Sequence, residues 1–402
     1  MAGLKKLSEL RYYFNPPYYV FAAGADVAFL GKYQTILARP AEEDGEEIWV
    51  AAYDLARLLS PEMSLRREKD ELVFADETCC LRIAEDTGMC RVIGADPLDS
   101  LTARRAGEEW LLPVCRVMQE VFGRSVVKRS HWYVFGRTGE ELVFGRPQES
   151  HYLNVLRGKT VGELYRTVWN EDVQKLLPCH LYIPTGYREK DSLPLVIALH
   201  GGMGSSDSVF DNTQRKFTYY AEKMGFILMA PDACIFDSNY GCLVPPEGAS
   251  MDGPIDFTVN DQSRWEKKTA ENALLQEIAW VRENWQIDPE RIYLMGNSMG
   301  GIGTFHFASR HPELFRAISP AGAAPTAADF DSSGLTGLPI CLVAGTEDAH
   351  GFDHIRHVYE VLRDRGLNIR FLPAGGGTHP SAWIDTLEET LTWLFAAEKP
   401  AR

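Results

Sequence analysis

Beyond residue 155 the apolar positions come in short, nearly unbroken runs separated by stretches with apolar residues three and four apart. The runs are CHLYIP (179–184), LPLVIALHG (193–201), FILMAPD (226–232), ERIYLMGNS (290–298), FRAISPAG (315–322), LPICLVAGTED (338–348) and NIRFLPAGG (368–376). Between them the spacing predicts helices at 269–285, 299–310, 352–366 and 381–397. Near-continuous apolar strands alternating with helices predict a mostly parallel sheet covered on both faces. In such sheets ligands bind beyond the carboxyl ends of the strands.

The first part of the chain has a different texture. Residues 45–74 (GEEIWVAAYDLARLLSPEMSLRREKDELVF) and 107–136 (GEEWLLPVCRVMQEVFGRSVVKRSHWYVFG) both open on Gly-Glu-Glu and a short apolar run. Each continues into a helical pattern (Leu55, Leu58, Leu59; Val117, Met118, Val121) and then a strand pair. Two copies about 62 residues apart predict a small pseudo-symmetric α+β domain. Residues 136–155 are rich in glycine and polar residues and read as a linker, so the expected division is 1–150 and 151–402.

Chemistry concentrates where the run Ile292–Met295 meets Gly296-Asn297-Ser298-Met299-Gly300, a G-x-S-x-G between a strand and a helix. A turn that tight strains the serine backbone, and side chains at the glycine positions would clash with neighbouring elements. The glycines therefore leave Ser298 exposed at the sheet's edge. A serine hydroxyl needs a base to take its proton and an acid to orient that base, expected in the order Ser, Asp or Glu, His. His379, in the glycine-rich stretch FLPAGGGTHPSAW, is the candidate base, and Asp348, at the end of CLVAGTEDAHG, the candidate acid. Glu347 is its rival, because a small change in the turn would exchange their directions.

Acyl transfer also needs backbone N–H groups aimed at the developing oxyanion. LHGGMGSS (199–206) closes the strand before the serine strand, and its glycines expose such donors. One donor is expected from Met299 and the other from Gly202 or Met203. Residues 234–268 form a long insertion whose Tyr240, Phe257 and Trp265 read either as pocket lining or as anchors of the loop. His200, Tyr240, Trp265 and Trp383 are the candidate substrate-binding side chains. His306 and His311 read as structural, and His350, His354 and His357 as a solvated helix face.

Residues 160–400 resemble the α/β-hydrolase superfamily. LPLVIALHGGMGSSDS, DPERIYLMGNSMGGIGTFHFASRHPELFRAISPAGAA and GGTHPSAW are similar to the polyhydroxybutyrate depolymerase, feruloyl esterase and acetyl xylan esterase group and to related predicted-peptidase esterases. The resemblance implies a serine esterase working through Ser298, Asp348 and His379 without cofactor or metal. The stretch VAGTED departs from the group's pattern, with Ala344 where a histidine often precedes the acid. Residues 15–137 resemble the copper amine oxidase N-terminal-like domain, an accessory module, although His131 is the single histidine there and no copper site is implied.

Composition narrows the partners. The 402 residues are 45% hydrophobic and 24% charged, ordinary for a globular chain, and a net charge of −15 argues against nucleic acid. The eight cysteines are scattered without CxxC pairs and read as free thiols. No run reaches the length of a membrane helix, and no secretory signal is read in the first 31 residues, so a cytoplasmic protein is expected. The expected partner is a small-molecule or carbohydrate-linked ester, with the N-terminal domain as a carbohydrate-binding, partner or homo-oligomer contact. The rival readings are a serine peptidase of prolyl oligopeptidase type and a binding protein with a silent hydrolase fold.

Overall fold

The apolar runs beyond residue 178 are strands of one sheet in the computed structural model, which describes residues 4–94, 101–140, 142, 146–189, 192–249, 257–349 and 351–397. The chain packs as two units. One holds residues 1–14, 160–164 and 178–402, the other residues 15–159 and 165–177. Residues 4–14 thus belong with the sheet that carries Ser298, across the boundary expected at residue 150.

In the larger unit the strands lie in the order Lys175–Ile183 (in this unit from Pro178 on), Ile227–Pro231, Leu193–Leu199, Ile287–Asn297, Ala317–Ala321, Ile340–Gly345 and Ile369–Ala374. The first pairs antiparallel with Ile227–Pro231 and the following pairs are parallel. Every residue of Ile227–Pro231, Ala317–Ala321 and Ile340–Gly345 is buried, which is why these strands are apolar throughout rather than alternating. On one face Phe210, Phe217, Phe226, Trp383, Leu391 and Leu394 close a core over Val196, Tyr293 and Val343. Burying a large apolar side chain contributes about 1.5–3 kcal/mol, so this face supplies much of the unit's cohesion. This is the α/β-hydrolase fold, with the sheet's carboxyl ends free to carry a site.

Helix Met299–Arg310 lies where the spacing predicts it, and Phe352–Asp364 nearly so. Helix Asp261–Asn284 starts eight residues before the predicted 269. Its first turns are polar, so they carry no apolar period; the start is set instead by Asn260, whose Oδ1 accepts from Ser263 N–H at 2.9 Å while Ser263 Oγ accepts from Asn260 N–H at 2.9 Å. The stretch predicted as one helix at 381–397 divides at Thr386 into Ala382–Asp385 and Leu387–Ala396.

In the smaller unit, Glu47–Ala51 leads into helix Ala52–Leu59 and the hairpin Ser64–Glu68/Glu71–Ala75. Glu109–Pro113 leads in the same order into helical turns over Val114–Val121 and the hairpin Val126–Arg129/Trp132–Gly136. The two leading strands pair antiparallel, Leu112 opposite Val50. The second hairpin continues through Tyr18–Ala22, Val27–Leu30 and Tyr33–Ile36 into an antiparallel sheet. All eight cysteines are free thiols.

Candidate active site

Strand Ile287–Asn297 ends directly on Ser298, and helix Met299–Arg310 begins at the next residue. Ser298 is held at φ 58° and ψ −120°, a conformation that costs a non-glycine residue about 1–3 kcal/mol and persists because its surroundings fix it. Its N–H donates to Ala321 O at 2.9 Å, and its carbonyl accepts from Gly301 and Ile302 at 2.8 and 3.1 Å. A Cβ at Gly296 would lie 2.5 Å from Gly300 O, and one at Gly300 would lie 2.3 Å from Leu199 O. Both glycines are therefore required by close backbone approach.

His379 Nδ1 is 2.8 Å from Asp348 Oδ2, and Asp348 Oδ1 accepts from Gly351 N–H at 3.0 Å. Asp348 is buried while Glu347 is exposed, so the turn directs the second carboxylate of the pair inward. Ser298 and His379 line one pocket with His200, Gly201, Gly202, Gly204 and Trp383. Its volume is about 280 Å³, at the small end for a ligand site.

The glycine turn after strand Leu193–Leu199 forms the side of this pocket facing Ser298. A Cβ at Gly201 would be 3.3 Å from Ser298 Cβ, and Gly204 N–H closes the turn onto Gly201 O at 3.1 Å. Met203 holds the turn's left-handed position at φ 59°, with its side chain 89% exposed. Gly202 lines the pocket and Met203 does not. Met299 N–H is the first of the helix's N-terminal N–H groups, which lack intrahelical partners.

His200 braces the turn from beneath. It is buried; its Nε2 accepts from Ala233 N–H at 3.2 Å, so Nδ1 carries the proton it donates to Gly201 O at 2.8 Å. Burial lowers its pKa to about 4, against the hydrogen bond to Gly201, and the ring stays neutral at ordinary pH. It lines the pocket, but both of its ring nitrogens are occupied by backbone.

Tyr240, named as a candidate for the pocket wall, is instead fully buried. Its hydroxyl accepts from His200 N–H at 3.0 Å and its ring lies under Gly303, where a Cβ would meet it at 2.7 Å. This is the anchoring alternative: a large ring inside the fold with its polar end satisfied. Trp265 is half-buried on helix Asp261–Asn284 and, like Phe257, is absent from the wall of the Ser298 pocket. Trp383 is in that wall, packed against Phe217 at 5.3 Å between ring centroids. Residues 250–256 of the insertion and His350 lie outside the described residues.

The other described histidines weighed in the sequence lie away from the pocket wall. His306 Nε2 and His311 Nε2 meet the Glu271 carboxylate at 3.3 and 2.9 Å, joined by Arg310 Nε at 2.8 Å. Burial alone would raise the Glu271 pKa, but these hydrogen bonds outweigh it and hold it at about 2. His354 and His357 are exposed.

Sequence reasoning missed three kinds of neighbour. Ser208, Val209 and Asn212 reach the pocket from helix Ser206–Asp211 and the turn after it, and Pro380 and Ile384 follow His379. Tyr13, 286 positions before Met299, donates its hydroxyl to Met299 Sδ at 3.3 Å. The aromatic cluster RYYF around Tyr13 was the one visible sign of burial there.

Comparison with known proteins finds esterases among the similar chains. Acetylxylan esterase of Coprinopsis cinerea is 23% identical over 137 residues, 34% of this chain and 32% of that protein. Feruloyl esterase B of Neurospora crassa is 26% identical over 140 residues, 34% of this chain and 41% of that protein. The match thus covers 32% and 41% of the length of these two curated relatives. Among solved structures, a thermostable esterase covers 98% of this chain and 92% of its own at 16% identity and TM-score 0.47. A family model for esterases matches residues 173–390, more than half of the chain, and the chain belongs to the esterase family.

Proposed function

We propose that the protein is a serine hydrolase of carboxylic esters, with Ser298 as nucleophile, His379 as base and Asp348 as the acid that orients it. The observation that carries this reading is the pocket shared by Ser298 and His379, with Asp348 2.8 Å behind the imidazole. His379 takes the hydroxyl proton as Ser298 attacks the ester carbonyl, and Asp348 stabilises the imidazolium that forms. The oxyanion meets the N–H groups of Met299 and of the glycine turn. Gly202 is preferred to Met203 there because Gly202 faces the pocket. The alcohol leaves with the proton from His379, and water then frees the acyl group from Ser298. These steps draw on the chain's own groups.

The substrate proposed is an ester of a short acyl group on a carbohydrate-linked alcohol. The small pocket and the bulk of Trp383 in its wall support the short acyl chain, and the relatives named acetylxylan esterase support the alcohol. Hydrolysis of p-nitrophenyl acetate, butyrate and octanoate checks the acyl side. Acetate is expected to be preferred, with Trp383→Ala moving the preference toward longer chains. A wild type that prefers octanoate would contradict the proposed pocket, and one that cleaves a peptide amide faster than any ester would favour the peptidase reading.

A further inference from the structure

The glycine turn beside Ser298 has one side chain, Met203, and that side chain is in solvent. Nothing of the turn's own therefore fixes the orientation of its peptides from outside. A segment from the start of the chain lies there. Tyr12 bridges Ile235 in antiparallel pairing, with Tyr13 N–H to Cys234 O at 3.2 Å and Phe236 N–H to Arg11 O at 2.7 Å. The Arg11 guanidinium caps the Phe236 ring at 4.2 Å, and Leu10 and Tyr12 are buried. This strap is held at several points and presents Tyr13 in one orientation.

The Tyr13 ring stacks on Phe236 at 4.8 Å and meets His200 edge-on at 5.0 Å. Its hydroxyl donates to Met299 Sδ at 3.3 Å. Burial, joined by the nearby Asp237 and Asp232 carboxylates, pushes the phenol up to about 12, so it keeps its proton at working pH. Tyr13 thus touches both elements that supply oxyanion donors in the proposed function, the residue after the nucleophile through its hydroxyl and the glycine turn through His200, whose Nδ1–H donates to Gly201 O.

We infer that Tyr13 is a positioning residue of the oxyanion site, its hydroxyl fixing Met299 and its ring fixing His200 beneath the glycine turn, so that the N–H groups of both elements are aimed before substrate arrives. The inference rests on the esterase reading above. Tyr13 is outside the wall of the Ser298 pocket, so it acts through the turn and not on substrate. Preorganised donors act because they need not reorient during reaction, and loss of one costs about a hundred- to a thousandfold. Loosening the turn is expected to cost less, roughly tenfold, with most of the loss in kcat.

The test is Tyr13→Phe in the full chain, which keeps the ring stacked on Phe236 and removes only the hydroxyl. Four quantities are read beside wild type and Ser298→Ala: kcat and KM on p-nitrophenyl acetate, the inhibition constant of a trifluoromethyl ketone, and the melting temperature. The ketone forms a tetrahedral oxyanion on the serine, so its affinity reports the donors directly. The expected result is a drop of about tenfold in kcat and in ketone affinity together, with KM within about twofold, as loss of a transition-state interaction requires. A Tyr13→Phe enzyme equal to wild type, or one whose kcat falls while ketone affinity holds, overturns the inference alone. A kcat loss that tracks a lowered melting temperature and leaves the folded fraction fully active also overturns it. A wild type that cleaves no ester, or a Ser298→Ala enzyme as active as wild type, overturns the esterase reading with it.

Discussion

Asp348 Oδ2 stands 2.8 Å from His379 Nδ1, while the adjacent Glu347 points to solvent. Two neighbouring carboxylates on one turn therefore differ in what they can do. Asp348→Asn keeps the shape but loses the charge that stabilises the imidazolium, and kcat is expected to fall by roughly three to four orders of magnitude. Glu347→Gln, an exposed change, is expected to stay within about twofold of wild type. Steady-state kinetics on one short-chain ester compares them, and equal losses would reassign the acid.

The backbone around Ser298 makes a separate prediction. At Gly300 a Cβ would meet Leu199 O at 2.3 Å and His200 O at 2.9 Å, both backbone atoms that cannot swing away. Gly300→Ala is expected to destabilise by about 1–3 kcal/mol, as overpacking does, and to lower kcat more than tenfold by displacing Ser298. Urea unfolding beside the kinetics would show both; an alanine accommodated without loss of either would contradict the close approach.

Sequence and structure agreed most where burial imposes a pattern. The fully buried strands read as unbroken apolar runs, and the strand–Ser298–helix turn was legible because both glycines stand two positions from Ser298, where close approach to the Gly300 and Leu199 backbones leaves no room for a side chain. Sequence named Asp348 as the acid but left Glu347 as its rival, because a turn's direction depends on what closes it, here Gly351 N–H and His379. Tyr240 and Tyr13 show the same limit in opposite senses. An aromatic residue in a polar insertion looked like pocket lining and is core, whereas one near the start of the chain reaches the site through pairing with residues 234–236. Such long-range pairings leave no periodic trace.

His200 predicts a pH dependence of stability. Its folded pKa, about 4, lies below the unfolded value near 6.5, so the unfolded chain takes up the proton first. The stabilisation is complete above about pH 6.5 and is lost as pH falls through 4, amounting to about 3 kcal/mol across that window. Denaturant unfolding of Ser298→Ala with and without His200→Gln at pH 7.5 and 4.5 isolates it. The gap between the two is expected to narrow at the lower pH, and a constant gap would mean that His200 does not titrate as a buried neutral ring.

Glu271 ties helix Asp261–Asn284 to helix Met299–Arg310 through His306, Arg310 and His311. With a folded pKa of about 2 against an unfolded value near 4.5, its contribution is present above about pH 4.5 and lost as pH falls toward 2. Glu271→Gln is expected to cost about 1.5–3 kcal/mol at pH 7, the range for hydrogen bonds to a charged group. The difference from wild type should shrink between pH 5 and pH 3, and unfolding midpoints at those values would reveal it.

The most direct measurement of the central claim is intact-protein mass spectrometry during turnover of p-nitrophenyl acetate, with released p-nitrophenol followed in the same samples. Ser298 as nucleophile requires the wild type to gain one acetyl group transiently, localised to the peptide containing Ser298, and requires Ser298→Ala to show neither the adduct nor release above background. An acetyl group found on another residue, or steady release by Ser298→Ala, would contradict it.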